Sequence, residues 1–182
     1  MGELLFKVAY VSAYENNTTM HGPVVGIGVF WDHNTCDLPE VSQFYKGVQT
    51  FEAASLEAAL VAFRQCLDKH YTGVLIRTDS PYLYGCIHVW NHKWLDNGFL
   101  DIRGEPIQNQ DLVKRTIHLG KNCSAVCLLE HEQPLTSGMK YARNLAKKAV
   151  TKVIDVAEKE HRYKESQKLP MDPRAKFLIE NF

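Results

Sequence analysis

The sequence predicts an α/β fold, a mixed sheet with helices packed against it. Three observations predict it. Short apolar or β-branched runs alternate with segments of helical spacing, in the order three strands, helix, strand, several helices, strand, helix. Gly22-Pro23, Gly73 and Ser80-Pro81 punctuate those segments as turn, stop and helix start. The composition, 45% hydrophobic and 23% charged over 182 residues, is that of a soluble domain with a full core.

Leu4–Ser12 carries apolar residues nearly throughout, which predicts a central strand buried on both faces. Tyr14–Pro23 is polar and reads as a loop. Val24–Trp31 is the second strand, with Gly26 and Gly28 permitting close backbone approach. Asp32–Glu40 is a turn and Val41–Lys46 a shorter strand. Thr50 is placed to cap a helix whose apolar face holds Leu56, Leu60, Phe63 and Leu67. Val74–Thr78 is a short β-branched strand leading into Asp79. Ser80-Pro81 then opens a helix expected to reach about Trp90, with Asn91–Leu95 as a second short piece.

Asn109 is expected to cap a helix over Leu112–Ile117, and Ala125–Leu129 is the last strand. Ser137 is expected to cap a long helix with Ala142, Leu145, Ala149, Val153 and Val156 along one face. The pattern turns charged beyond Ala157, so residues 1–157 read as the domain and 158–182 as a charged helical extension and tail. The tail ends in an apolar cluster, Phe177, Leu178, Ile179 and Phe182, which either folds back or anchors a partner protein.

Lys plus Arg equals Asp plus Glu at 21 each, which argues against a protein devoted to non-specific phosphate binding. It leaves room for a local basic face. No cleavable leader or membrane span is expected, and the scattered cysteines read as reduced thiols of a cytoplasmic or nuclear protein. His88 and His92 have a zinc-compatible spacing, but no third ligand is spaced to join them. On a strand, Cys123 and Cys127 would lie roughly 13 Å apart, too far for one ion. Ser12 or Ser55 with His131 as base lacks a nucleophile turn and an oxyanion hole. No cofactor or metal is expected.

A set of short motifs in the right order resembles type 1 ribonuclease H from about Lys7 to Lys148. The motifs are Gly26-Ile27-Gly28-Val29-Phe30-Trp31, Thr50 with Ala53-Ala54-Ser55-Leu56, and Thr78-Asp79-Ser80. They continue with Trp90, Trp94, Asn97-Gly98, Gly104 and Asn109, then Gly138, Ala142, Leu145 and Ala146. The resemblance implies a five-stranded sheet, a three-strand antiparallel meander plus two parallel strands, flanked by helices. It also implies four carboxylates holding two divalent ions about 4 Å apart, at the positions of Ser12, Ser55, Asp79 and Arg143. Only Asp79 is acidic. A guanidinium 4 Å from a divalent ion costs on the order of 8 kcal/mol at an effective dielectric of about 20, so Arg143 points to a bridge with Asp79 in place of metal. Glu52, Glu15 and Glu130 are the carboxylates that could substitute, Glu130 the least implausibly, while Glu57 faces about 200° away from Ser55.

The resemblance further implies that Trp90 and Trp94 line a channel for the DNA strand of a hybrid, and that Thr50 and Asn109 help to hold a phosphate. Val48 stands where the family usually has a basic ligand, and Phe51 where it has an amide. The two tryptophans either keep a stacking surface or simply pack on the sheet edge. The expected function is therefore a catalytically inactive ribonuclease H-like scaffold for protein interaction in a nucleic-acid-related assembly. The alternatives are a non-cleaving reader of RNA–DNA hybrid or double-stranded RNA, with weak binding, and a residual metal-dependent hybrid ribonuclease centred on Asp79. Oligomeric state is left open.

Overall fold

The structure is a computed structural model, and it describes residues 6–19, 22–131 and 133–168. The elements follow the order β1 (Lys7–Asn16), β2 (Val24–Trp31), β3 (Val41–Phe44), α1 (Phe51–Asp68), β4 (Val74–Thr78), α2 (Pro81–Tyr84), α3 (Asn91–Asn97), α4 (Gln110–Asn122), β5 (Val126–Leu129) and α5 (Ser137–Lys168). A π-helical turn, Gly85–Val89, joins α2 to α3. The five strands form one sheet in the order β3-β2-β1-β4-β5. β1 pairs antiparallel with β2 and β2 with β3, while β1–β4 and β4–β5 are parallel.

Period-two alternation assigns the two faces of this sheet. Ala9, Val11 and Ala13 of β1, Val25, Ile27, Val29 and Trp31 of β2, and Val74 and Ile76 of β4 are buried on the face that meets α1. α1 is buried well beyond one apolar stripe, since Ala53, Ala54, Ala58, Ala59 and Ala62 are fully enclosed beside Leu56, Leu60 and Phe63. It packs on β1 and β2 and also against α4. Small side chains let its backbone lie close to both. A search for large apolar residues sees only half of that helix.

The opposite face is covered differently. A Cβ on Gly26 would sit 2.4 Å from the Ala146 carbonyl oxygen, and one on Gly28 would sit 2.0 Å from that of Ala142. The two glycines thus form a trough into which the first turns of α5 settle, with the Ser42 hydroxyl donating to Leu145 O at 2.7 Å. Toward β5 the same face is more open. One cross-strand row reads Phe30, Tyr10, Arg77, Leu128, and the next runs Val8, Leu75, Val126. Leu128 and Val126 are exposed.

Several boundaries differ from the sequence reading. β1 runs on through Tyr14, Glu15 and Asn16, where a loop was expected, because its ladder with β2 continues to Asn16↔Val24. The helix expected from Ser80 to Trp90 is interrupted: Trp90 N donates to Gly85 O, five residues back, at 2.8 Å. The Trp90 ring lies on Gly85, where a Cβ would be 2.5 Å from it, so this glycine seats the indole under a widened turn. At α5 the cap is Thr136 rather than Ser137, its hydroxyl accepting from Met139 N at 3.4 Å.

Asn109 stands at the start of α4 with φ +56 and supplies its carbonyl to Val113 N, but its side chain makes no capping bond. Left-handed backbone turns the amide away from the first-turn donors. Buried positions along α5 end at Val150, and Val156 is exposed. The chain divides into compact units Met1–Val150 and Thr151–Phe182. Phe177, Leu178, Ile179 and Phe182 lie outside the described residues. No helix among the described residues is long and apolar enough to cross a membrane.

Candidate functional site

Asp79 follows the last residue of β4, and Ser12 lies one residue beyond the end of the β1–β4 ladder at Val11↔Thr78. The longer strand therefore carries the Ser12 hydroxyl alongside Asp79, to whose Oδ2 it donates at 3.0 Å. Arg143 arrives from α5, set by the Gly26–Gly28 trough. Its Nη2 and Nε both donate to the same oxygen, at 2.7 and 3.1 Å. The Asp79 side chain is 3% exposed while that of Arg143 is 46% exposed, so a buried carboxylate is neutralised by a cation whose far side meets water. Asp79 Oδ1 is buried and makes no hydrogen bond.

Three of the four positions singled out in the sequence thus meet. The fourth is tied elsewhere: Ser55, fully buried in α1, donates its hydroxyl to Phe51 O at 2.7 Å. Two of the three carboxylates that could substitute, Glu130 and Glu15, have structural work. Glu130, just past β5, pairs with Arg77 Nε at 3.2 Å and accepts from the Thr136 backbone N–H. It thereby anchors the connection into α5. Glu15 is on β1, not in a loop, and its Oε2 accepts from Phe51 N at 3.1 Å. With Thr50 Oγ accepting from Ala53 N at 3.3 Å, two donors at the start of α1 are satisfied from within the chain. Carboxylates at a helix N-terminus are favoured by its dipole, but an acid 36 residues before the helix start carries no capping signature in sequence. Among the described residues no three His, Cys, Asp or Glu side chains are grouped to hold a metal ion.

The aromatic region lies along the α2–α3 segment. Trp90 and Trp94 have ring centroids 5.4 Å apart at 50°, and Tyr82 adds a third ring 5.9 Å from Trp90. Both tryptophans are half-buried. The Tyr82 hydroxyl donates to Gln108 O at 2.9 Å, and burial pushes its pKa up to about 12. Asn109 Nδ2 is buried and makes no hydrogen bond. Val48, in the loop before α1, is 64% exposed.

His88 has a role the sequence hid. Its Nε2 meets both backbone groups of Cys127, accepting from the N–H at 3.0 Å and lying 2.9 Å from the carbonyl oxygen. The imidazole blocks the outer edge of β5, a device that protects an edge strand. That nitrogen is not free to bind zinc with His92. All five cysteines are buried, and burial pushes Cys86 and Cys127 up to about 12, far from a reactive thiolate.

The RNase H family model matches residues 10–151. A ribonuclease H of Rickettsia typhi is 40% identical over 68 residues, 37% of this chain and 43% of the relative. The Gag-Pol polyprotein of Walleye dermal sarcoma virus is 31% identical over 119 residues, 62% of this chain and 7% of the polyprotein. The chain thus spans less than half the length of these relatives. Among solved structures, the foamy viral protease-reverse transcriptase in complex with dsDNA matches with a TM-score of 0.69 at 19% identity, over 82% of this chain and 97% of that one. The complex of the same protein with RNA/DNA hybrid gives 0.67 at 18%, over 82% and 21%. At those identities the likeness speaks for the fold, and with the family match spanning most of the sheet and its helices, the chain belongs to the RNase H family.

Proposed function

We propose that this chain is a catalytically inactive RNase H domain that works by binding, as a scaffold for a protein partner in a nucleic-acid-related assembly. The observation that carries the reading is the placement of both Arg143 nitrogens on Asp79 Oδ2. The family's metal pair demands several hard oxygen ligands. The groups gathered here are one carboxylate, one hydroxyl and a guanidinium, which has hydrogen-bond donors and no acceptor to offer a metal. They do not fit two divalent cations, and the single unbonded oxygen, Asp79 Oδ1, is too little to offset Arg143. Glu130 and Glu15 already hold Arg77 and the start of α1.

Support for a protein partner comes from the open end of the sheet, where Val126 is exposed beside Leu75, and Leu128 is exposed beside Arg77. Exposed leucine and valine on an open sheet edge are the sort of surface that associates.

A second reading, a non-cleaving nucleic-acid reader, is supported by the half-buried pair Trp90 and Trp94, whose rings can stack on bases. Two structures of this fold are complexes with RNA/DNA hybrid and with dsDNA. Zero net charge and the exposed Val48 beside Thr50 make such binding weak and salt-sensitive.

Two titrations test the readings. Calorimetry with Mn²⁺ and Mg²⁺ should give no saturable site that Asp79→Asn removes; such a site would overturn the proposal. A gel shift of RNA–DNA hybrid that vanishes in Trp90→Ala/Trp94→Ala would favour the second reading over the first, and unchanged mobility would count against it.

A further inference from the structure

The loop between α3 and α4 displays an apolar side chain on a rigid mount. It doubles back through the Leu100↔Pro106 bridge, with Ile107 N donating to Phe99 O at 3.1 Å. Asp101 braces the tip. Its Oδ1 accepts from Arg103 N at 2.8 Å and from Glu105 N at 3.0 Å. Its backbone accepts from Gly104 N at 3.1 Å and donates to Glu105 O at 2.7 Å. Ile102 stands on this turn, the most exposed large apolar side chain among the described residues. A loop held by so many bonds has little backbone entropy left to lose on docking, so the isoleucine is presented ready to bind.

A cleft of matching chemistry lies elsewhere on the same domain. The π-helical turn, the second half of α4 and the approach to β5 bound about 260 Å³, walled by Ile87, Ile117, Ala125 and the bare backbone of Gly120. An apolar cavity of about 150 Å³ takes up a benzene ring, so an isoleucine side chain has room here. The charges also match. On the loop, Arg103 already pairs with Asp101 at 3.5 Å, which leaves Glu105 as the uncompensated charge. The cleft is lined by Lys121 and by no carboxylate. Neither Glu105 nor Lys121 joins an ion pair among the described residues. Because Ile102 is fully exposed, the loop does not fill the cleft of its own chain.

We propose that this chain self-associates head to tail, Ile102 of one copy entering the cleft between the π-helical turn and α4 of the next, with Glu105 set against Lys121. Opposite charges fix the orientation, and the net acidic loop disfavours a phosphate backbone as its target. Knob and hole are different patches, so every copy offers both and the contact can repeat. One small apolar anchor carries it, so the association is weak and grows with concentration.

The test is sedimentation velocity of the full chain from micromolar to millimolar concentration, with amide spectra over the same range. The sedimentation coefficient should rise with concentration, while the amide signals of residues 102–105 and 117–125 shift together. Ile102→Ser and Lys121→Glu, both at exposed positions, should each weaken association about tenfold or more. The two variants mixed should associate, because one keeps the cleft and the other keeps the loop. Lys121→Glu combined with Glu105→Lys should restore association in a single chain. A protein that stays monomeric throughout would overturn the proposal. So would association that survives Ile102→Ser, or that is lost instead on Leu128→Ser at the open end of the sheet. The readout involves neither nucleic acid nor cleavage, so it stands apart from the proposed function.

Discussion

The corner around Asp79 and the aromatic strip along α2–α3 belong to the same fold but are held together differently. At the corner a buried charge is held by polar contacts: β1 delivers Ser12 beside Asp79, and α5 delivers Arg143 to the same carboxylate. Along the strip, Trp90, Trp94 and Tyr82 remain in contact, seated on Gly85. The difference teaches that a few charges carry a metal centre, whereas a ring cluster is also part of the fold and is kept by packing.

That contrast can be broken from either side. The largest effect should come from Gly28→Ala, whose Cβ would collide with Ala142 O at 2.0 Å and Ala146 N at 2.8 Å. Lifting α5 off the sheet should destabilise by about 3 kcal/mol and separate Arg143 from Asp79, both visible in urea unfolding and in amide spectra. Trp90→Ala should cost about 2–3 kcal/mol, somewhat less than a fully buried indole, without disturbing the Asp79 corner. Arg143→Ala should cost about 1–2 kcal/mol, because it strands a buried carboxylate but removes only a half-exposed cation. A double-mutant cycle with Asp79→Asn should recover most of that loss. Thr50→Ala should be mildest, about 1 kcal/mol for a lost cap.

The strip should also respond to alkali. Burial raises Tyr82 from about 10 to about 12 and Cys86 from about 9 to about 12. Above their unfolded values the unfolded chain binds fewer protons than the folded one, so stability falls as pH rises toward 12. Unfolding followed between pH 8 and 12 should show this decline, weakened in Tyr82→Phe.

How much of this was legible in the sequence depended on which force shaped each part. β2 and β4 could be read to the residue, because β-branched runs bounded by turns admit few other states. The extension of β1 through Glu15 and Asn16 could not, since polar residues enter a strand here only because β2 is paired beside them. Thr50 was readable as a cap from local chemistry, whereas Asn109 has the right residue type and the wrong backbone. The four positions Ser12, Ser55, Asp79 and Arg143 came from family resemblance alone. Glu15 on Phe51 N, Glu130 between Arg77 and Thr136, and His88 on the edge of β5 are long-range contacts with no local signature. The π-helical turn at Gly85 was equally silent, since only the Trp90 ring explains it.

The proposal to be tested first is that this chain, with Arg143 on Asp79, does not hydrolyse RNA–DNA hybrid. The direct measurement is cleavage of a labelled RNA–DNA hybrid by excess purified protein in Mg²⁺ and in Mn²⁺, with Asp79→Asn in parallel. The predicted result is intact hybrid in every lane; cleavage by the natural chain that Asp79→Asn abolishes would contradict the account and make this protein a nuclease.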